Sequence, residues 1–204
     1  MENDFDNAPI PVPDEPQKPS YPPLADGEIL VGLDPASYRN CGWGVVKFDG
    51  NKAILLKKYT QVLERDQNDM GRLEDIYGEA QKIIDEFHPL MFCIERSMGG
   101  GLQFVRNNLS ENVGVVKLCC HRSGVKVYET SPAHTKKVVT GAGRAKKKHV
   151  KANIVAAFGL PKAGPEHECD ACAFALTALV DQGWRDYVIP VPCGNEKIKK
   201  KVRK

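Results

Sequence analysis

Pro165-Glu166-His167-Glu168-Cys169-Asp170-Ala171-Cys172-Ala173-Phe174-Ala175-Leu176 is the stretch around which this 204-residue chain is read. Its small residues Ala171, Ala173, Ala175 and Ala178 describe a helix smooth enough to lie tight against a sheet. His167 and Asp170 are three apart and share one face of that helix. The run therefore holds an imidazole and a carboxylate at a fixed place, at the mouth of a closely packed helix and beside strand ends.

Two apolar runs elsewhere each finish in an acid. Ile29-Leu30-Val31-Gly32-Leu33 leads to Asp34, and Met91-Phe92-Cys93-Ile94 leads to Glu95. Continuous apolar runs of this length, bounded by turn signals, fit buried central strands. If the two strands are neighbours, Asp34, Glu95 and Asp170 converge, and three crowded carboxylates repel one another unless cations sit between them. The hard cation suited to oxygen ligands and phosphate chemistry is magnesium. A single acid in such a place is ordinarily a cap or a solvated edge. The argument for a site rests on the set of three, in strand, strand and helix contexts.

Between these points the elements follow in order. Residues 42–63 read as two strands joined by the turn Asp49-Gly50-Asn51, so the first segment is a run of three antiparallel strands. Met70, Leu73, Ile76, Tyr77, Ala80, Ile83, Ile84 and Phe87 make one stripe of a helix over 70–87, which Pro89 stops. A second amphipathic helix carries Phe104, Val105, Leu109, Val113, Val116 and Cys120, and Val125–Glu129 reads as a fifth strand. Pro132 opens a short helix, and residues 144–158 make another. The expected class is α/β, with a mixed five-stranded sheet flanked by helices.

The net charge of +3 conceals an asymmetry. Residues 1–26 hold six acids against Lys18 and seven of the 14 prolines, a composition that predicts a disordered head serving as a spacer or, less plainly, as a docking peptide. The last eleven residues carry six bases against Glu196. The domain between, 27–185, keeps only a small positive balance, with a basic tail at 186–204. Within the domain Lys136, Lys137, Arg144, Lys146, Lys147, Lys148, His149 and Lys151 crowd around Gly141-Ala142-Gly143. Such a segment is ordinarily a solvated helix face; beside an acidic metal site it is read as a phosphate-binding patch.

No cationic, apolar leader and no membrane-spanning run stands out, so a cytoplasmic protein of a bacterial cell or phage-infected host is expected. Seven cysteines scattered through the elements indicate free thiols in a reducing compartment. Cys169-Asp170-Ala171-Cys172 has the spacing of half a zinc site, but no second pair stands at a suitable distance. The glycines at 141 and 143 fit neither the phosphate loop nor the dinucleotide fingerprint.

Four segments taken together carry a resemblance. Leu30-Val31-Gly32-Leu33-Asp34-Pro35-Ala36-Ser37 with Gly42-Trp43-Gly44-Val45-Val46, then Cys93-Ile94-Glu95, then the run 139–147, then Asp170-Ala171-Cys172-Ala173, are similar to the RuvC family of Holliday junction resolvases in order and spacing over most of residues 28–182. The resemblance implies a ribonuclease H-like fold, a homodimer, magnesium-dependent cleavage and four-way DNA junctions as substrate. It places the catalytic and metal-binding positions at Asp34, Glu95, His167 and Asp170. Many members have Asp where this chain has His167, and His also occurs there. On this view Asp34 bridges two Mg²⁺ ions roughly 4 Å apart, for which Mn²⁺ can substitute, and Glu95 and Asp170 each hold one. His167 ligates or acts as base, and Lys136 and Lys147, with Arg144 and Lys146 nearby, meet DNA phosphates.

Members also tend to carry an aromatic residue three positions after the strand-end Glu, where this chain has Met98 before Gly99-Gly100-Gly101. Methionine stacks poorly on bases, so the expected selectivity is for DNA shape with weak preference for sequence. Two other readings stand beside the resolvase: a broader branched-DNA or flap nuclease of the same fold, and a non-catalytic binder of DNA structure.

Overall fold

The computed structural model describes residues 24–35, 39–64, 69–96, 103–184 and 187–191. The acidic head as far as residue 23, the loop 97–102 with Met98, and the tail from residue 192 lie outside the described residues.

The first three strands, β1 (Ile29–Asp34), β2 (Asn40–Phe48) and β3 (Ala53–Val62), form an antiparallel meander. Its tight turn is made as the sequence predicts: the Asp49 carboxylate accepts the backbone N–H groups of Asn51 (3.2 Å) and Lys52 (2.8 Å), and Gly50 takes φ +84°. Helix α1 (Asp69–Phe87) then leads to β4 (Met91–Glu95), and α2 (Gln103–Arg122) to β5 (Lys126–Thr130). Both new strands lie parallel to their inner neighbour, which gives the mixed order β3-β2-β1-β4-β5. The chain closes with α3 (Pro132–Thr140), α4 (Lys147–Ala157) and α5 (Glu166–Asp181). Among the described residues no helix is long and apolar enough to cross a membrane.

Strand alternation assigns each face of the sheet its own layer. Val31, Leu33, Trp43 and Phe92 point to one side, where Ile76, Ile83 and Val116 of α1 and α2 cover them. Leu30, Val46 and Met91 point to the other, under Val139, Ile154, Leu176 and Leu179 of the last three helices. On that second face the sheet presents glycine where α5 crosses it. A Cβ on Gly32 would stand 1.8 Å from the Ala171 carbonyl oxygen, one on Gly42 2.1 Å from the His167 oxygen, and one on Gly44 2.9 Å from the Cys172 sulfur. The helix backbone thus rests directly on the strands, with alanine on its side and hydrogen on theirs.

Two local readings change. The stripe expected on α1 runs true at Ile76, Ala80, Ile83 and Ile84, but Met70 is exposed and Arg72 is buried. The reason lies on α2, whose inner face presents Asn108 and Asn112 alongside Val113 and Val116. The Arg72 guanidinium donates to the Asn112 side-chain oxygen and to Glu111 Oε2 at 2.7 Å, which satisfies a charge where the first turn would otherwise pack hydrocarbon. The helix expected from residue 144 begins at Lys147, because Gly141 ends α3 in the left-handed region (φ +81°) and residues 142–145 turn before Lys146 extends. Pro132 does open α3, with the Ser131 hydroxyl accepting the His134 N–H at 3.2 Å.

Residues 187–191, placed in the tail by composition, lie against the domain. The Asn153 amide donates to the Val191 carbonyl (2.8 Å) and accepts its N–H (2.9 Å), while Trp184 meets Phe48 edge-on and Tyr187 packs at a tilt against Trp184.

The contact under α5 predicts a large penalty for one methyl group. Gly32→Ala should lower the urea-unfolding free energy by about 3 kcal/mol or more. Gly78→Ala on α1, where a Cβ meets nothing within 4 Å, should instead raise it by about 0.5–1 kcal/mol. The two unfolding midpoints, measured side by side, check both signs.

Candidate active site

The parallel pairing of β1 with β4 runs to Leu33 opposite Ile94, so the next residue of each strand, Asp34 and Glu95, emerges at the same end of the sheet. The first turn of α5 is brought there by its rest on Gly42, which leaves His167 over β2 beside Asp34. His167 Nδ1 and Asp34 Oδ2 are 3.0 Å apart. With the carboxylate ionised, Nδ1–H is the donor, and the ring is fixed in orientation by that bond.

Asp34 is almost fully covered, and its acidity reports it. Burial first, then the charges of Asp170 and Glu95, push its carboxyl up to about 7, with the His167 hydrogen bond pulling the other way. Burial and Asp170 likewise raise Glu95, opposed by Lys136 and Lys147. Burial raises Asp170 as well, against the pull of Lys147, His167 and Lys136. All four residues proposed from the sequence are thus gathered at one end of the sheet, where burial and mutual repulsion disfavour the ionised carboxyls.

Oxygen donors with one imidazole suit a hard divalent cation, and the unrelieved repulsion gives such an ion a reason to bind. Among the described residues no three acidic, histidine or cysteine side chains close into a ready-made metal cage. The direct contact is the Asp34–His167 pair, and Glu95 and Asp170 face it through charge.

The basic residues divide. Lys136 and Lys147 lie close enough to act electrostatically on Glu95 and Asp170, whereas Arg144 and Lys146 are exposed on the α3–α4 turn. Lys147 forms an ion pair with Glu166, which raises its ammonium above the ordinary lysine range. Cys169 and Cys172 are free, buried thiols, Cys169 donating to the Ala163 carbonyl oxygen at 3.1 Å and Cys172 pushed up to about 12 by burial. They are packing residues on the inner side of α5. Met98 lies outside the described residues.

Sequence reasoning missed the partners of Glu166 and Glu168, on Lys147 and on Lys58 of β3. It also missed the strand glycines as a docking floor for α5. Their spacing carried the signal, since Gly42 and Gly44 alternate on β2 and share a face with Gly32 across the ladder.

A family model described as "Crossover junction endodeoxyribonuclease RuvC" matches residues 30–178. The chain belongs to the RuvC family. Proteins named crossover junction endodeoxyribonuclease RuvC are similar to it: that of Ruminiclostridium cellulolyticum is 32% identical over 72% of this chain and 89% of its own length. That of Xanthobacter autotrophicus is 35% identical over 76% and 90%. Among solved structures, Thermus thermophilus RuvC in complex with Holliday junction substrate superposes with TM-score 0.71 at 26% identity, covering 76% of this chain and 95% of that one. The yeast mitochondrial Holliday junction resolvase Ydc2, 11% identical with TM-score 0.58 over 79% of this chain and 82% of its own, shares the fold. The mixed five-stranded sheet is therefore the ribonuclease H-like sheet of the RuvC resolvases.

The raised carboxyl of Asp34 has a consequence for stability. Its folded-state value, about 7, lies above its ordinary 3.8, so the folded RuvC domain holds the extra proton between them and loses stability as pH rises through that window. In chelator, the urea midpoint should fall between pH 5 and pH 8. Asp34→Asn should flatten that fall, and a divalent cation should restore the midpoint at pH 8.

Proposed function

We propose that the chain is a structure-selective DNA endonuclease that resolves four-way junctions by divalent-metal-dependent phosphodiester hydrolysis. The observation that carries the reading is the convergence of Asp34, Glu95, His167 and Asp170 at one end of the sheet in a chain of the RuvC family. The Thermus relative solved with Holliday junction substrate supports the choice of DNA.

Asp34, Glu95 and Asp170 would hold the cations, with magnesium as the expected ion, two as the expected number and manganese as a substitute. When bound, the metal supplies neutralisation of charge on the attacking and leaving oxygens and acidifies water. The chain's own residues do the rest. Asp34 is buried and locked to His167, so it serves as a fixed anchor that need not reorganise during the reaction. His167 is tied through Nδ1, which orients the imidazole for ligation or for taking a proton from water. Lys136 and Lys147 stand on the rim, where their charges already offset Glu95 and Asp170, and there they receive the phosphate diester. Two such sites are required to cut opposed strands symmetrically, which makes a homodimer the working form.

Glu95→Gln and Asp170→Asn each keep the shape of the side chain and lose its charge. Both should bind a labelled four-way junction in chelator as the parent does, and in magnesium cut it at least about 100-fold more slowly. Cutting at the parental rate in either variant removes that acid from the site. Lys147→Ala should slow cleavage and make the salt dependence of junction binding shallower by about one phosphate contact. An unchanged slope returns Lys147 to an ordinary solvated face.

A further inference from the structure

Helix α5 carries half of the site in its first turn, yet its entry lacks the usual fastening. Pro165 at the N-cap position offers no side-chain hydrogen bond, and the residue before it, Gly164, sits at φ +79° in a stretch without regular structure. Lys147 and Lys151 of α4 reach Glu166 and the Gly164 carbonyl, and the more covered hold on this entry comes from the edge strand. Lys58 Nζ of β3 donates to Glu168 Oε2 at 2.5 Å and to the Ala163 carbonyl at 3.1 Å. Thr60 Oγ1 lies 3.5 Å from the other carboxylate oxygen, Glu168 Oε1. Lys58 and Thr60 pair across the ladder with Gly44 and Gly42, the two positions where β2 presents no side chain and α5 lies closest. The glycines thus open the path by which a side chain of β3 reaches over β2 to the helix.

This pair differs from the surface ion pairs elsewhere on the domain. Its side chains are only 18% and 12% exposed, whereas Lys147 and Glu166 are 57% and 35% exposed. A covered charge pair with additional hydrogen bonds fixes geometry where an exposed one is screened and mobile. Glu168 is flanked by His167 and stands two residues before Asp170, so whatever fixes Glu168 fixes the peptide planes from which both site residues project. We infer that Lys58 is a positioning residue: through Glu168 it sets the first turn of α5, and with it His167 and Asp170, in register with Asp34. The inference rests on the metal-dependent reading of the site and adds a residue from the far edge of the sheet.

Lys58→Met tests it. In the full chain without DNA, calorimetric titration should show Mn²⁺ affinity reduced about 10- to 100-fold, the range for losing a partner that orients a ligand. Single-turnover junction cleavage should fall with it, while junction affinity in chelator stays within about twofold. Lys58→Arg, which can still reach Glu168, should recover part of the Mn²⁺ affinity. The inference is overturned if folded Lys58→Met binds Mn²⁺ and cuts as the parent does. It is overturned equally if that variant loses junction affinity with a shallower salt slope, since Lys58 is then a DNA contact. Should Lys58→Met not fold, the apolar pair Lys58→Met/Glu168→Met replaces both charges at similar volume. Parental Mn²⁺ affinity in that double variant, or its failure to fold, refutes positioning. A parent that binds Mn²⁺ but cuts no junction defeats the nuclease reading and leaves the positioning claim to be judged on Mn²⁺ affinity alone.

Discussion

Everything at the site depends on how near α5 can come to the sheet. Helices ordinarily stand off a sheet by the thickness of two side chains; here Gly32, Gly42 and Gly44 withdraw the strand side of that layer and alanine thins the helix side. Close approach removes water from the crossing, so the groups stationed there meet in a low-dielectric setting where charge is expensive. Asp34 shows the cost, with a carboxyl that titrates near neutrality although His167 is bonded to it. The same approach that builds the site therefore makes it unfavourable when empty of positive charge. Among the described residues the most buried acid is also the one whose carboxyl is pushed furthest from its ordinary range, a pattern that clusters at functional sites.

The first turn of α5 resolves a competition among its own acids. Glu166 and Glu168 lie in that turn, favoured by the positive end of the helix, and Asp170 follows them at the same spacing. Glu166 is paired with Lys147 and Glu168 with Lys58. Among the described residues Asp170 forms no ion pair, and it faces Asp34 and Glu95 through repulsion, tempered by Lys136 and Lys147 at a distance. Selective neutralisation of this kind leaves one carboxylate of the three without such a partner, and it does so with side chains drawn from β3 and α4, far apart in the sequence.

The strands and helices are legible in the amino-acid sequence because each has a clean period and a clear stop: the Asp49-Gly50-Asn51 turn, Pro89 after α1, Pro132 at the start of α3. The acids are legible because two of them end apolar runs. Arg72 is not, since a buried guanidinium inside an apolar stripe depends on Asn112 and Glu111 of another helix, 40 and 39 residues away. The start of α4 is misjudged for a local reason, the left-handed Gly141 and the turn behind it, which the neighbouring lysines disguise as helix. The Lys58–Glu168 pair, 110 residues apart, leaves no trace in spacing at all. Periodicity reports what each element buries, and long-range polar pairs belong to the tertiary fold.

Asn153 clasps the backbone of Val191 from both sides, accepting its N–H and donating to its carbonyl. A two-point amide clasp of this kind works as a cleat: the chain that continues past it starts from one fixed spot beside α4 rather than from a loose end. Lys197, the first lysine beyond, is six residues on, so its Cα can stand no more than about 22 Å from that spot. The clasp ties residues 187–191 to the helix that opens with Lys147.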